Sequence, residues 1–399
     1  MKVCVGIVTH NRAGILPRAL DSVREQSWKD IEVVVIDDGS TDETSALSAR
    51  YPEVKWIRYE KPRGYRHARN RFMRETDAAY FVSLDDDSWF LKGDEIQIAM
   101  AMMADNGRLG AIAFDIRTPD FPAARERGPR EPVNTFVGCG HLLRLEAVRA
   151  AGYYEDVPGD YGSEEKDLSI QLLDMGYEIV RLPGVDVWHE QTMVMRDLRG
   201  QHRSGVCNDL AFALRRCPSP SVAWVIPAKI FNHLVFSLRF GLRGKAGLGE
   251  FDRKVVDKIG MLGFVRPSLS GTLLFLKNLP SLLRNRRPVS PYAYRIYVER
   301  SRRRRWSQFG GTVAAVGLDH HPQPPRRPRG NAARNPISAR AAAEKSSSAP
   351  TVAPTAPSSS SGELPGHPAV SPKNGRGRSR PRPHFPDREK RHRPLARRR

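Results

Sequence analysis

Three carboxylates stand side by side in Leu84-Asp85-Asp86-Asp87-Ser88, directly after the apolar run at 78–82. Such a run reads as a buried strand. Carboxylates packed this closely repel one another and, at the rim of a core, would bind protons rather than stay ionised. A divalent cation removes the conflict, and hard oxygen donors suit Mg2+ or Mn2+. Strand periodicity places Asp85 and Asp87 on one side and Asp86 on the other. Taken alone, the stretch also fits a solvated acidic turn or a helix N-cap, where Asp is common.

A second acidic focus is Ser163-Glu164-Glu165-Lys166-Asp167-Leu168. Ser163 is a suitable N-cap for a helix that runs past Leu172 and stops at Gly176. Glu165, Leu168 and Leu172 share one face, so Glu165 is expected to point into the domain. Acids favour a helix N-terminus in any case, but that preference does not explain one on the inward face. Between the two foci, Val137-Gly138-Cys139-Gly140-His141 puts small residues on an expected strand, a sign of close backbone approach. His189 follows an apolar run, and a lone His of this kind is usually structural.

The elements that must position these groups follow from hydrophobic periodicity. Strands are expected at 3–8, 31–36, 54–59, 78–84, 109–114, 179–182 and 185–188. Helices are expected at about 15–26, after the 37–42 turn, and at 66–75, 93–103 and 146–151. Strand–helix alternation with short loops predicts a parallel α/β sheet. Ligands on such sheets bind beyond the C-terminal strand ends. Thr9, Asp38 and Asp85–Asp87 fall there on three strands, which favours the metal reading over the acidic turn. Neither a Gly-x-Gly-x-x-Gly nor a Gly-x-x-x-x-Gly-Lys-Ser/Thr pattern follows the first strand, so the usual dinucleotide and P-loop readings are weak.

The formal charge of +21 is unevenly spread. Residues 301–399 carry a net +17, residues 221–300 a net +10, and residues 1–220 a net −6. The overall basicity therefore says nothing about what the front of the chain binds. The four cysteines form no Cys-x-x-Cys pair, which suits a reduced cytoplasmic protein. The N-terminus enters a strand at once, so no signal peptide is expected.

In order along the chain, Val5-Gly6-Ile7-Val8-Thr9-His10-Asn11-Arg12, Val34-Val35-Ile36-Asp37-Asp38-Gly39-Ser40-Thr41-Asp42, Ala68-Arg69-Asn70 and Leu84-Asp85-Asp86-Asp87 resemble the family 2 glycosyltransferases. Gly138-Cys139-Gly140, Glu164-Glu165-x-Asp167-Leu168 and Trp188-His189 continue the match, which covers about residues 2–195. The resemblance implies a GT-A fold, a Rossmann-like, mostly parallel sheet flanked by helices. It implies an inverting transferase that uses a nucleotide sugar, UDP-, dTDP- or GDP-linked, and a glycan, lipid-linked or small-molecule acceptor, as in cell-envelope polysaccharide assembly. Thr9, Asn11 and Asp38 would face the nucleoside, with Asp38 taking a base N–H. Arg69 would lie near the diphosphate and Asp86 by the ribose. Asp85–Asp87 would form the Asp-x-Asp motif, with Asp87 on Mn2+ or Mg2+ and His189 a further ligand. Gly138, Cys139 and Gly140 would border the acceptor. Glu165 stands where the family usually has the Asp of a Glu-Asp pair, so either Glu164 or Glu165 is the base. The Gln-x-x-Arg-Trp motif of processive synthases is missing, so transfer of one or a few sugars is expected.

Two rivals fit less well. A nucleotidyltransferase would carry a Gly-rich, Arg/Lys-bearing N-terminal loop, which Gly6 and Gly14 do not build. A basic membrane or nucleic-acid adaptor with a degenerate enzyme domain would have no need of Asp38, Asp87 and Glu165. Nothing supports specific nucleic-acid binding, because the basic segments lack interleaved aromatics and a base-reading module.

Three domains are expected: a catalytic domain at 1–219, a helical, basic region at 220–309, and a disordered Pro/Ser/Arg-rich tail at 310–399. The apolar stretches at 222–240 and 260–279 are interrupted by basic residues and proline, too often for a membrane span. They suit amphipathic helices on an anionic membrane, at its inner face, or helices packed on the catalytic domain or forming an oligomer.

Overall fold

The computed structural model describes residues 1–191, 197–243 and 250–308, and of 235–243, 250–264 and 303–308 the backbone alone. The expected tail at 310–399 lies outside the described residues, and those described fall in one compact unit. In chain order the elements are β1 (Val3–Thr9), α1 (Leu16–Arg24), β2 (Ile31–Asp37), a 3-10 turn (Glu43–Ala49), β3 (Lys55–Arg58), α2 (Tyr65–Glu75), β4 (Tyr80–Asp85), β5 (Ser88–Phe90), α3 (Glu95–Asp105) and β6 (Leu109–Arg117). Then come β7 (Glu131–Pro132), β8 (Gly140–Arg144), α4 (Leu145–Ala151), α5 (Glu164–Asp174), β9 (Glu178–His189), α6 (Leu198–Arg216), α7 (Val222–Arg243), α8 (Glu250–Arg284) and α9 (Pro291–Gln308).

The strands form one sheet in the order β3-β2-β1-β4-β8-β6-β9-β5, with β7 paired to β9. The four strands from β3 to β4 are parallel. β8 enters antiparallel between β4 and β6, and β6 and β9 resume parallel pairing. Along β1, Val3, Val5 and Ile7 pack on one face with residues of α1 and α3. Cys4 packs on the other face, with α2, α4 and α5. Side chains alternate across a strand, so a strand buried on both sides must be apolar throughout. This is why β1, β2 and β4 read as unbroken hydrophobic runs. Register then sets the site: Thr9 pairs with Asp37, and Val8 with Asp85, so β1, β2 and β4 end at one level.

Several local expectations are corrected. The helix expected after residue 42 is a 3-10 turn, capped by the Asp42 side chain on the Thr44 N–H at 3.0 Å. The two strands expected at 179–188 are one, β9, with an irregular register against β6 between Phe114 and Asp115. Val137–Cys139 is a bridge and turn rather than strand, and β8 starts only at Gly140. Ser163 occupies the N-cap of α5 in a left-handed conformation (φ 76°) with no side-chain cap bond. Residues 119–130 form an exposed irregular stretch, as their Pro and Arg content predicts.

The C-terminal helices share cores with the front of the chain. Val206, Leu210 and Leu214 of α6 pack with Phe275 and Leu282 of α8, and Val222, Ile226 and Ile230 of α7 lean on the same cluster. Ala293 and Tyr297 of α9 pack into the face formed by α2, α4 and α5. Among the described residues, no helix is long and apolar enough to cross a membrane.

Candidate active site

The loops at the C-terminal ends of β1 and β2 lock each other. Asn11 adopts φ 56°, a left-handed conformation that Asn tolerates better than most residues. Its side-chain Oδ1 accepts from the Thr41 N–H at 2.7 Å and the Asp42 N–H at 3.3 Å, while its backbone N–H donates to Ser40 Oγ at 2.9 Å. Asn11 thus holds the turn after β2. Asp38 accepts from the Arg63 N–H at 2.6 Å and the Gly64 N–H at 2.9 Å. It therefore sits at the N-terminal end of α2, where a carboxylate is favourable, and fixes where that helix begins. Thr9 is buried beneath this pair of loops, against Asp86.

The chain turns immediately after Asp85, and the three carboxylates take different partners. Asp85 accepts from Arg69 Nη2 at 2.6 Å. Asp86 faces the β1 loop, 3.4 Å from the His10 N–H and 3.7 Å from Arg12 Nε. Burial, with Asp87 adding to it, pushes Asp86 up to about 7, although Arg12 pulls it down. Asp87 Oδ1 lies 3.3 Å from His189 Nε2. Asp85 and Asp87 both lie toward His189 while Asp86 faces the β1 loop, a grouping set by the turn at 86–87 and not by strand alternation. Ser88 ties the turn together: it accepts from the Asp85 N–H at 2.8 Å and contacts the Cys139 carbonyl at 3.1 Å.

Strand pairing brings His189 here. β5 runs antiparallel to β9 with Ser88 opposite His189, so His189 stands next to Asp87. Its other ring nitrogen, Nδ1, is 3.4 Å from Cys139 Sγ. Burial opposes protonation of His189, but Cys139, Asp87 and Asp85 outweigh it and raise its pKa. Burial pushes the Cys139 thiol up as well. Donor atoms of Asp85, Cys139 and His189 lie within 4.8 Å of one another. This set offers one carboxylate, one imidazole and one thiol to a divalent cation, with the Asp87 carboxylate beside the imidazole.

The second acidic focus meets the first through α2. Tyr65 and Arg69 are one helical turn apart and share a face. The Tyr65 hydroxyl donates to Glu164 Oε1 at 2.6 Å and accepts from the Gly162 N–H at 3.1 Å. Arg69, buried, has Nη1 3.5 Å from Glu165 Oε1 while Nη2 holds Asp85. The helical-face argument singled out Glu165, yet both acids turn inward. Glu164 is 2% exposed, and the Glu165 side chain 16%. Burial and the neighbouring Glu164 raise the pKa of Glu165 against the pull of Arg69.

The close approach expected at Gly138 is made by these side chains. A Cβ on Gly138 would lie 2.5 Å from Glu165 Oε1 and 2.7 Å from Arg69 Nη1. Gly140 instead makes room for Ile116 in the core. Behind α5, Asp167 receives Arg216 Nε at 2.7 Å and Nη2 at 2.8 Å. Asn208 donates to the carbonyls of Gly159, Tyr161 and Gly162 at 2.9–3.0 Å, holding the loop that leads into α5. Tyr65, Ser88, Asn208 and Arg216 were not singled out in the sequence. Only the one-turn spacing of Tyr65 and Arg69 on a helix leading out of the Asp38 region gave a signal.

Residues 4–146 match the model of Glycosyl transferase family 2. An uncharacterized glycosyltransferase of Rickettsia felis is 38% identical over 107 residues, 26% of this chain and 18% of that protein. The uncharacterized glycosyltransferase YwdF of Bacillus subtilis is 32% identical over 182 residues, 39% of this chain and 62% of the relative. The chain thus spans less than a fifth of the former relative and under two thirds of the latter. Among solved structures, a mannosyltransferase from Pyrobaculum calidifontis in complex with GDP-Man and Mn2+ superposes with a TM-score of 0.48 at 20% identity, covering 70% of this chain and 87% of that one. Over residues 4–146 the chain is similar to family 2 glycosyltransferases, and this matched stretch includes β1, β2 and β4, whose C-terminal ends bring Thr9, Asp38 and Asp85 together.

Proposed function

We propose that the protein transfers a sugar from a nucleoside diphosphate sugar to an acceptor hydroxyl, with inversion at the anomeric carbon and a divalent cation in the site. The observation that carries this reading is the chain Asp85–Arg69–Glu165, which sets a carboxylate of raised pKa beside an acidic, metal-compatible centre. Asp87 and His189 would hold Mn2+ or Mg2+, which when bound supplies positive charge at the departing diphosphate. Thr9 and Asp38 border the nucleoside at the ends of β1 and β2, Asn11 keeps their loops in place, and Asp86 lies toward the ribose.

Glu165 takes the acceptor proton. A base works best when its pKa is near the working pH, and the raised pKa of Glu165 moves it that way. Glu164 is more buried and engaged by Tyr65, so its role is to hold its neighbour's surroundings. Gly138, Cys139 and Gly140 border the acceptor beside this base, where the missing side chain of Gly138 lets Glu165 and Arg69 sit against the backbone. Direct displacement by one activated hydroxyl inverts the anomeric centre. The acceptor is a glycan, a lipid-linked sugar or a small molecule.

The test is turnover of UDP-, dTDP- and GDP-sugars with Mn2+, with and without EDTA. Turnover of one donor, lost on chelation and in Asp87→Ala, is expected. Turnover indifferent to EDTA would remove the cation from the reading.

A further inference from the structure

The described outer faces of α7 and α8 are apolar where a surface helix should be polar. On α7, Val222, Ile226 and Ile230 turn inward. Trp224 and Phe231, one heptad apart on the other side, are 82% and 60% exposed. On α8, Phe275 and Leu282 are buried, whereas Leu269, Leu273, Leu276 and Leu283 form an exposed stripe, with Leu273 57% exposed. Their spacing of four, three and seven keeps them on one face. Single exposed apolar residues need no explanation, but a stripe of this kind marks a contact surface.

Charge identifies the contact. Neither 222–234 nor 265–284 contains a single Asp or Glu. Arg266, Lys277 and Arg284 are exposed along the row next to the leucines, with Lys277 one turn from Leu273. Lys229, by contrast, is held by Asp209 at 2.6 Å and is not part of this surface. A leucine stripe edged by cations, with an exposed Trp and no acids, is the composition of a helix that lies in the interface of an anionic bilayer. No described helix can cross the bilayer, so the contact is peripheral.

We propose that the outer faces of α7 and α8 dock on an anionic membrane surface through Trp224, Phe231 and the Leu269–Leu283 stripe, with Arg266, Lys277 and Arg284 facing lipid phosphates. The same helices pack on α6, whose Asn208 holds the loop entering α5. This inference stands on its own observations and does not require the transfer reaction.

The full chain is mixed with phosphatidylglycerol-containing vesicles or with phosphatidylcholine vesicles, at low and high salt, and bound protein is measured by flotation. Binding to anionic vesicles that weakens with salt, with little binding to neutral ones, is expected. The double variant Leu273→Glu/Leu276→Glu should bind at least 10-fold more weakly, with an unchanged circular dichroism spectrum because both side chains are exposed. Lys277→Glu/Arg284→Glu should weaken binding to anionic vesicles alone. The basic residues beyond 308 could also attract lipid, so wild-type binding by the leucine variant would assign the contact to them and overturn the proposal. No binding to either vesicle would overturn it too, as would equal binding to both. Concentration-dependent self-association lost in the leucine variant, without vesicle binding, would make the stripe an interface between copies and overturn it likewise.

Discussion

Asp85–Asp87 and Glu164–Glu165 lie at the two ends of the Arg69 guanidinium, yet they are built by different means. The first centre is a set of strand ends. Parallel register brings Thr9, Asp37 and Asp85 to one level, and each loop beyond is only a few residues long. The second centre rests on a helix N-terminus held from behind by contacts between distant parts of the chain. Tyr65 meets Glu164 across 99 residues of sequence, and Arg216 meets Asp167 across 49. A strand-end site comes with the sheet, whereas a helix-borne site depends on how well that helix is seated. Substitutions at the first centre should therefore act on donor and metal binding, and those at the second on the chemical step.

The largest difference is expected at the acids. Glu165→Gln should lower kcat by about 10²–10⁴-fold with donor binding retained, as measured by calorimetric titration of the donor with Mn2+. Glu164→Gln should cost far less in kcat. The reverse order would move the base to Glu164 and invert the comparison. Asp87→Ala should instead lose metal-dependent donor binding in the same titration, because the charge that the cation supplies is worth several kcal/mol.

Gly138→Ala tests the space between the centres. Its Cβ would press on Glu165 and Arg69 together, and overpacking of this kind costs about 1–3 kcal/mol. Roughly a 10-fold loss of kcat/KM is expected, whereas Gly140→Ala, which meets Ile116 in the core, should lower the melting temperature more than it lowers the rate. Equal effects at both glycines would deny Gly138 its place in the site.

Smaller effects fall on Tyr65 and on the pH profile. Tyr65→Phe removes one hydrogen bond from a buried carboxyl, worth about 1–3 kcal/mol when the partner is charged. It should lower kcat and leave KM for the donor near its original value. The profile follows from the sign of the Glu165 shift. A base with a raised pKa remains protonated to higher pH, so the rate should rise through a limb above the ordinary glutamate value of about 4.3. Because Glu164 contributes to that rise, Glu164→Gln should move the limb to lower pH. A limb unmoved by that change would uncouple the two acids.

Much of the strand-end centre was legible in sequence because its signals are local. Hydrophobic runs buried on both faces mark parallel strands, and the residues that end them must lie at the sheet's C-terminal edge. Thr9, Asp38 and the Asp triplet could be grouped on that ground alone. Finer detail was not: Asn11 and Asp38 show as loop-fixing residues only once Thr41, Arg63 and Gly64 are placed around them. Ser163 looked like a cap by residue type, but its left-handed backbone turns the hydroxyl away from that role.

By itself, the sequence determined the α/β alternation, the order of strand ends, the acidic centres and the uneven charge, because these depend on periodicity and residue type within short windows. Only the tertiary structure decided which groups meet. His189 reaches Asp87 because β5 and β9 pair antiparallel, a choice of strand partner no local pattern contains. Arg69 joins the two carboxylate centres because Gly138, nearly 70 residues away, has no side chain to stand between them. The exposed leucine stripe is likewise a tertiary result: packing on α6 took one face of α8 and left the other outside.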